Sequence, residues 1–227
     1  MKTLLLWDID GTLIASGGAG MKSMQTALGT VFGTDGSVAD IEFSGRTDRW
    51  IVGQIFRKFG VPLTEENITR YFDGYVAGLP ATLANPQARV LPGVREALAA
   101  AAAHGAIAQG LLTGNMRRGA QAKLSHHGLW DHFPFGAFAD DSELRNDLGP
   151  HALRRAKEHH GVDFSGPSVW VIGDTPHDIA CGNAIGARTL AVATGSHPLE
   201  ELARHKPTLL LENLSDTAAL VRNFTAG

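Results

Sequence analysis

The 227-residue sequence has a single cysteine, Cys181, so an internal disulfide is excluded. No apolar run is long enough to span a bilayer. The apolar start Leu4-Leu5-Leu6 after Lys2 is interrupted by Asp8 and has no small-residue cleavage pattern, so it does not read as a signal peptide. Neither sign of charge is in marked excess: 20 Lys and Arg face 23 Asp and Glu, for a formal net charge of −3. Without a basic stripe, neither nucleic acid nor a membrane is an expected partner. No internal repeat and no heptad pattern is present, and a cytoplasmic monomer is the expectation. What is present is an ordinary globular composition, 44% hydrophobic and 19% charged. The length suits one core domain with a sizeable insertion, or two small domains.

Short β-rich runs at 3–7, 107–112, 168–173, 189–193 and 208–211, with a weak one near 136–139, alternate with helical patterns at 93–104, 116–127, 148–160 and 176–186. That alternation predicts an α/β fold, a doubly wound, Rossmann-like, mostly parallel sheet. The run Val169-Trp170-Val171-Ile172 is apolar on both faces, as a sheet covered by helices on both sides requires. Residues 16–86 break the alternation. They carry helical patterns beginning near Ala19, at Thr47 and at Glu65, bounded by Ser16-Gly17-Gly18 and Asn85-Pro86. We therefore expect an α/β core of residues 1–15 and 87–227 and an all-helical cap of residues 16–86, hinged as a lid over the first strand's end.

In an open sheet of this kind, ligands bind beyond the carboxyl ends of the strands. Three such ends carry chemistry. Asp8-Ile9-Asp10-Gly11-Thr12 ends the first strand with two acids on one face, followed by a glycine that permits a sharp turn. Two close carboxylates repel unless a cation bridges them or one holds a proton. Leu111-Leu112-Thr113-Gly114-Asn115 ends another strand in a hydroxyl, and Thr113 with the N–H groups that follow it could hold a phosphate oxygen at a helix start or simply cap that helix. Val169 to Asp178 ends in Gly173-Asp174-Thr175-Pro176-His177-Asp178. There Pro176 suits a helix's first turn, and Asp178 looks back at Asp174.

Together these stretches resemble the haloacid dehalogenase-like superfamily, in particular its capped phosphatases, over nearly the whole chain. The family's Asp-x-Asp-Gly-Thr motif is met by Asp8 to Thr12, its strand ending in Thr or Ser by Thr113, and its Gly-Asp-x-x-x-Asp motif by Gly173 to Asp178. The resemblance implies that Asp8 attacks phosphorus and Asp10 serves as acid and base. Ile9, Thr113, Gly114 and Asn115 are then the candidates for holding the phosphate oxygens. It further implies a Mg²⁺ cofactor bound by Asp8, the Asp10 carbonyl and Asp174, with Asp178 supporting that shell. One motif departs from the usual form: the family's lysine is missing between Lys123 and Lys157, and Arg145 in Leu144-Arg145-Asn146-Asp147-Leu148 stands in its region. Arginine binds oxyanions well, and a subgroup of the family resembles this chain there.

The implied substrate is a small-molecule phosphate ester. Ser44-Gly45-Arg46-Thr47-Asp48 resembles the cap loop of phosphoglycolate phosphatases, in which Arg46 would meet a second anionic group on the substrate or, alternatively, pair with Asp48 or Asp73. Other activities of the superfamily are less well matched. A dehalogenase needs no acid at Asp10, the histidine of phosphoglucomutase-like caps falls on Gly20, and phosphonatases need a cap lysine for which Lys22 and Lys58 are poor candidates. A non-catalytic phosphate binder would have no need of Asp8, Asp10, Thr113 and Asp174 together.

Overall fold

In the computed structural model, which describes residues 3–225, the strand β1 (Thr3–Trp7) opens the chain. A two-residue strand β2 (Ile14–Ala15) follows, then helices α1 (Ala19–Phe32), α2 (Asp48–Phe59) and α3 (Glu65–Leu83), and a second short strand, β3 (Arg89–Val90). From there helix and strand alternate: α4 (Val94–Ala103), β4 (Ile107–Leu112), α5 (Arg117–His126), β5 (Gly136–Ala137), α6 (Leu148–His160) and β6 (Val169–Gly173). The chain ends with α7 (Pro176–Ala184), β7 (Arg188–Val192), α8 (Leu199–Arg204), β8 (Leu209–Leu211) and α9 (Thr217–Thr225).

Six strands form one sheet in the order β5-β4-β1-β6-β7-β8, with every pairing parallel. The period-two alternation of β1 divides its side chains between two cores. Leu5 and Trp7 pack with Leu98, Trp170 and Phe224 on one face, and Leu4 and Leu6 pack with Ala152, Ala156 and Val171 on the other. This double burial is why the central strands are mostly apolar. β1 lies at the centre, Leu4 pairing with Ala108 of β4 on one side and Val169 of β6 on the other. The chain runs outward from β1 first through β4 and later through β6, so the strand order reverses beside β1. A crevice opens at such a reversal, and ligands of open α/β sheets bind there. The adjacent carboxyl ends of β4, β1 and β6 are those that carry Thr113, Asp8 and Asp174.

The expected strand near 136–139 reduces to Gly136–Ala137 on the sheet edge. A further element escapes sequence inspection: β2 and β3 pair antiparallel, Ile14 with Val90 and Ala15 with Arg89. Two residues are too few for an alternation to show. This ribbon ties together the two crossings into the helical insertion. At those crossings Asn85 Nδ2 donates to the Ser16 carbonyl at 3.4 Å, and Gly17, at φ 59°, has no room for a Cβ beside Asn85 and Gln87. Within the insertion, α2 and α3 begin where their caps predict. The Thr47 and Thr64 hydroxyls accept from Trp50 N and Asn67 N, each at 3.2 Å. The three helices bury a core of their own around Met24, Leu28, Ile55, Phe56 and Tyr71. Among the described residues, no helix is long and apolar enough to cross a membrane.

Candidate active site

Asp8 follows directly on β1, with its N–H bonded to the Ile172 carbonyl of β6 at 2.9 Å. Gly11, at φ 81°, then turns the chain so tightly that a Cβ there would overlap the Asp174 carboxylate. The same turn brings Thr12 Oγ1 to within 3.2 Å of Asp174 Oδ1. Thr175 and Asp178 close a reciprocal capping box on α7: Asp178 Oδ2 accepts from Thr175 N at 3.0 Å, and Asp178 N donates to Thr175 Oγ1 at 3.3 Å. Carboxylate oxygens of Asp8, Asp174 and Asp178 thus gather within 4.8 Å of one another, all buried. Arg145, just before α6 and only 8% exposed in its side chain, places Nη2 3.1 Å from Asp8 Oδ1 and also on Asp178 Oδ1. Its Nη1 donates to the Gly45 carbonyl of the insertion at 3.3 Å.

The charges do not balance. Burial pushes the Asp8 carboxyl up to about 6, with Arg145 pulling it down and Asp178 and Asp10 adding to the rise. Burial, together with Asp178 and Asp8, lifts Asp174 well above the ordinary carboxylate range. Three buried acids facing one guanidinium leave excess negative charge, and a set of oxygen donors with that excess fits a hard divalent cation such as Mg²⁺. Asp8 and Asp174 could serve as its ligands. Asp178 already serves Thr175 and Arg145, so it fits better as the group that orients them.

The second acid of the first motif stands apart. The Asp10 side chain does not join the carboxylate group; it meets Asn115 Nδ2 at 2.9 Å and Lys123 Nζ at 2.6 Å, both on Oδ2. Only the Asp10 carbonyl is therefore left for the ligand role expected of this residue. Burial opposes the charged form, yet the Lys123 ammonium and its hydrogen bond outweigh it and hold the Asp10 carboxyl below its usual range. Sequence inspection passed over Lys123. The signal was there: α5 buries Gly119, Ala120, Lys123 and Leu124, and a lysine on the buried face of a helix needs an anionic partner.

The expectation that the helix start after Thr113 holds phosphate needs correction. Thr113 is not the cap of α5, whose N-cap is Met116. The first N–H groups of that helix are occupied, Met116 N by Asp48 Oδ2 at 2.8 Å and Arg117 N by Asp140 Oδ2 at 2.6 Å. Two protein carboxylates have taken the positive helix end. The Thr113 hydroxyl is buried and accepts from Asn115 Nδ2 at 2.9 Å, while Gly114 and Asn115 line the cavity above Asp8. Ile9 is near as well, its N–H bonding the Asp8 carboxylate.

The insertion grips this loop. Asp48 N donates to the Gly114 carbonyl at 2.6 Å, and Thr47 Oγ1 donates to the Glu143 carbonyl at 2.6 Å. Burial lifts the Asp48 carboxyl to about 6 from 3.8, although Lys123 pulls it down. The folded protein therefore takes up a proton that the unfolded chain releases, so stability falls as pH rises from about 4 to about 6, by about 3 kcal/mol in all. Asp48→Asn keeps an acceptor for Met116 N and carries no charge. It should be about 1–3 kcal/mol more stable than the parent at pH 8, the gain disappearing near pH 4. Urea unfolding of both proteins across that range checks this, and parallel curves would contradict it.

Arg46 lies on the cavity wall but is engaged locally. Its Nε and Nη2 reach Glu42 Oε2 at 2.8 and 2.6 Å, and the guanidinium sits 4.5 Å from the Trp50 ring centroid. Neither Asp48 nor Asp73 is its partner, since Asp48 accepts from Met116 N and Asp73 pairs with Arg118.

These features define an α/β protein with an acidic, arginine-countered crevice on the carboxyl edge of a parallel sheet, closed by a helical insertion. The model of the family described as haloacid dehalogenase-like hydrolase matches residues 5–183. The chain belongs to that family and is a hydrolase. Among curated proteins it is 27% identical over 227 residues to "Probable phosphatase IndB" of Dickeya dadantii (strain 3937), covering 95% of this chain and 92% of that one. Among solved structures it is similar to CbbY from Rhodobacter sphaeroides in complex with phosphate, with TM-score 0.74 and 17% identity over 95% of this chain and 96% of the other. A structure described as "a predicted phosphoglycolate phosphatase" from Haemophilus somnus 129pt matches with TM-score 0.71 and 19% identity, over 97% and 98% of the two chains.

Proposed function

We propose that this hydrolase is a Mg²⁺-dependent phosphatase that removes phosphate from a small organic phosphate monoester through an aspartyl-phosphate on Asp8. One observation carries the reading: three buried carboxylates and Arg145 converge where the strand order reverses. A phosphatase that works through a carboxylate nucleophile needs that constellation, and a mere binder of phosphate would be penalised by it, because buried acids repel an anion. Phosphatase is also what the Dickeya relative is called.

In this reading Asp8 Oδ1, steered by Arg145, attacks phosphorus, and one hard hydrolysis becomes two easier steps. Asp10, ionised beside Lys123, takes a proton from the water that releases phosphate; to protonate a leaving alkoxide it must first take up a proton against the pull of that ammonium. Asp8, the Asp10 carbonyl and Asp174 would hold the ion, with Asp178 fixing Arg145 and Thr175 behind them. When bound, Mg²⁺ offsets the charge that a phosphate dianion and these carboxylates bring together. Gly114 and Asn115, which line the cavity, with the Thr113 hydroxyl and the Ile9 N–H behind them, would supply donors or close backbone approach to the equatorial phosphate oxygens.

The whole substrate has a cavity of about 280 Å³ that runs from Asp8 and Asp174 to Met21, Met24, Phe43, Ile51 and Tyr75 of the insertion. Residues 16–86 act as the cap, and the docked 45–48 loop is its closed form. Phosphoglycolate fits the size. It is also the substrate named for the Haemophilus structure, and its carboxylate would have to compete with Glu42 for Arg46.

The test is hydrolysis of para-nitrophenyl phosphate and a panel of carboxylated and neutral phosphate monoesters, in Mg²⁺ and in EDTA. Turnover should require Mg²⁺ and fall by about 10²-fold or more in EDTA. Equal rates in both buffers would reject the metal-dependent mechanism.

A further inference from the structure

Lys123 is a buried cation in the cavity that the reaction as described leaves without a task. Its side chain is 5% exposed. A buried ammonium is costly unless every proton is met. Here two donor directions are fixed, Nζ to Asp10 Oδ2 and Nζ to Asn115 Oδ1, each at 2.6 Å. Asn115 turns its Nδ2 back to the same Asp10 oxygen at 2.9 Å and to Thr113 Oγ1 at 2.9 Å. Lysine, amide and carboxylate therefore close a three-membered ring of hydrogen bonds anchored on β4. The helix opposite makes room for it: at Gly20 of α1 a Cβ would lie 3.4 Å from Nζ and 3.9 Å from Tyr75 Oη.

The ring treats the two oxygens of Asp10 differently. Oδ2 takes both donors, while Oδ1 is buried without a hydrogen bond. A carboxylate held by two donors on one oxygen cannot rotate freely, so the ring fixes the plane in which the Asp10 side chain, 35% exposed, faces the cavity. Positioning of this kind acts on rate because a misplaced base loses its near-attack geometry.

We infer that Lys123 is a positioning residue that, with Asn115, fixes the Asp10 carboxylate for the hydrolysis of phosphorylated Asp8. This rests on the aspartyl-phosphate reading above. In that step the water oxygen bonds to phosphorus, its proton passes to the Asp10 carboxylate, and the bond from phosphorus to the Asp8 oxygen breaks. The electron pair returns to the Asp8 carboxylate, and inorganic phosphate is released.

The experiment uses Lys123→Met with para-nitrophenyl phosphate and Mg²⁺, read by rapid mixing. Nitrophenolate leaves without needing a proton, so formation of the phosphoenzyme is spared. The expected result is a burst of about one equivalent of nitrophenolate per enzyme, then turnover about 10²-fold slower than the parent, with KM lowered rather than raised. Lys123→Gln keeps a donor at similar reach, should regain about tenfold, and carries the same readout if the methionine variant does not fold. In an Asp10→Asn background, Lys123→Met should cost less than about threefold further, because a residue acting through Asp10 has nothing left to position. The inference is overturned if Lys123→Met turns over within about threefold of the parent, if burst and steady rate fall together, or if its loss adds fully to that of Asp10→Asn. Turnover by Asp8→Asn would instead refute the nucleophile itself.

Discussion

Asp8→Asn should lower the turnover of para-nitrophenyl phosphate by about 10⁴-fold or more while the protein stays folded. The amide has the shape of the carboxylate but neither the charge nor the basic lone pair that attacks phosphorus, and no other described acid stands in its place. Asp174 is tied to Thr12, Asp178 to Thr175 and Arg145, and Asp10 to Lys123 and Asn115. Stability is set by two opposed effects. The substitution removes a buried charge whose carboxyl has been pushed up to about 6 and relieves its repulsion with Asp178, but it also takes one partner from Arg145. These are of similar size, so melting should move by no more than about 4 °C. Steady-state rates and a thermal melt on one preparation decide the matter: a variant that melts like the parent and still turns over at more than about a hundredth of its rate would show that the nucleophile lies elsewhere.

The parts of this site that sequence made legible are those in which one residue type answers one local demand. Gly11 is required because only a glycine passes φ 81° with a carboxylate against its α-carbon, and Pro176 because it opens α7. The strands of the sheet were legible too, since double burial favours apolar residues at successive positions such as Leu4 to Trp7 of β1 and Val169 to Ile172 of β6. Arg145 was placed by its region of the chain, and its two carboxylate contacts fit that placing. What sequence did not disclose depends on contacts between distant segments. The N–H groups that open α5 look free in the sequence of 113–117, yet they are claimed by Asp48, some 68 residues earlier, and by Asp140. Lys123 and Asp10 are 113 residues apart, and no pattern within either segment announces their pairing. Arg46 was read from its place in a loop, and its engagement by Glu42 and Trp50 depends on how that loop folds back.

Arg145 carries the second large effect, and it divides into two parts that different substitutions separate. Arg145→Met leaves Asp8 and Asp178 buried side by side with no cation, and stranding buried carboxylates in this way costs about 3–5 kcal/mol. Activity should fall by about 10²–10³-fold as well, because nothing then draws the Asp8 oxygen toward an anionic phosphate. The geometry indicates how much of this a lysine can restore. Both carboxylates are met by the same nitrogen, Nη2, which an ammonium can imitate, whereas the contact to the Gly45 carbonyl uses Nη1. Arg145→Lys should therefore recover most of the stability but lose the tie to the insertion, so that the cap loop at 45–48 closes less firmly and KM rises more than kcat falls. Urea unfolding and steady-state kinetics of the two variants provide the measurement. If the lysine variant were as unstable as the methionine one, the bond to Gly45, rather than the two acids, would be what holds Arg145 in place, and the guanidinium would have to be counted as part of the cap latch instead of the site's counter-charge.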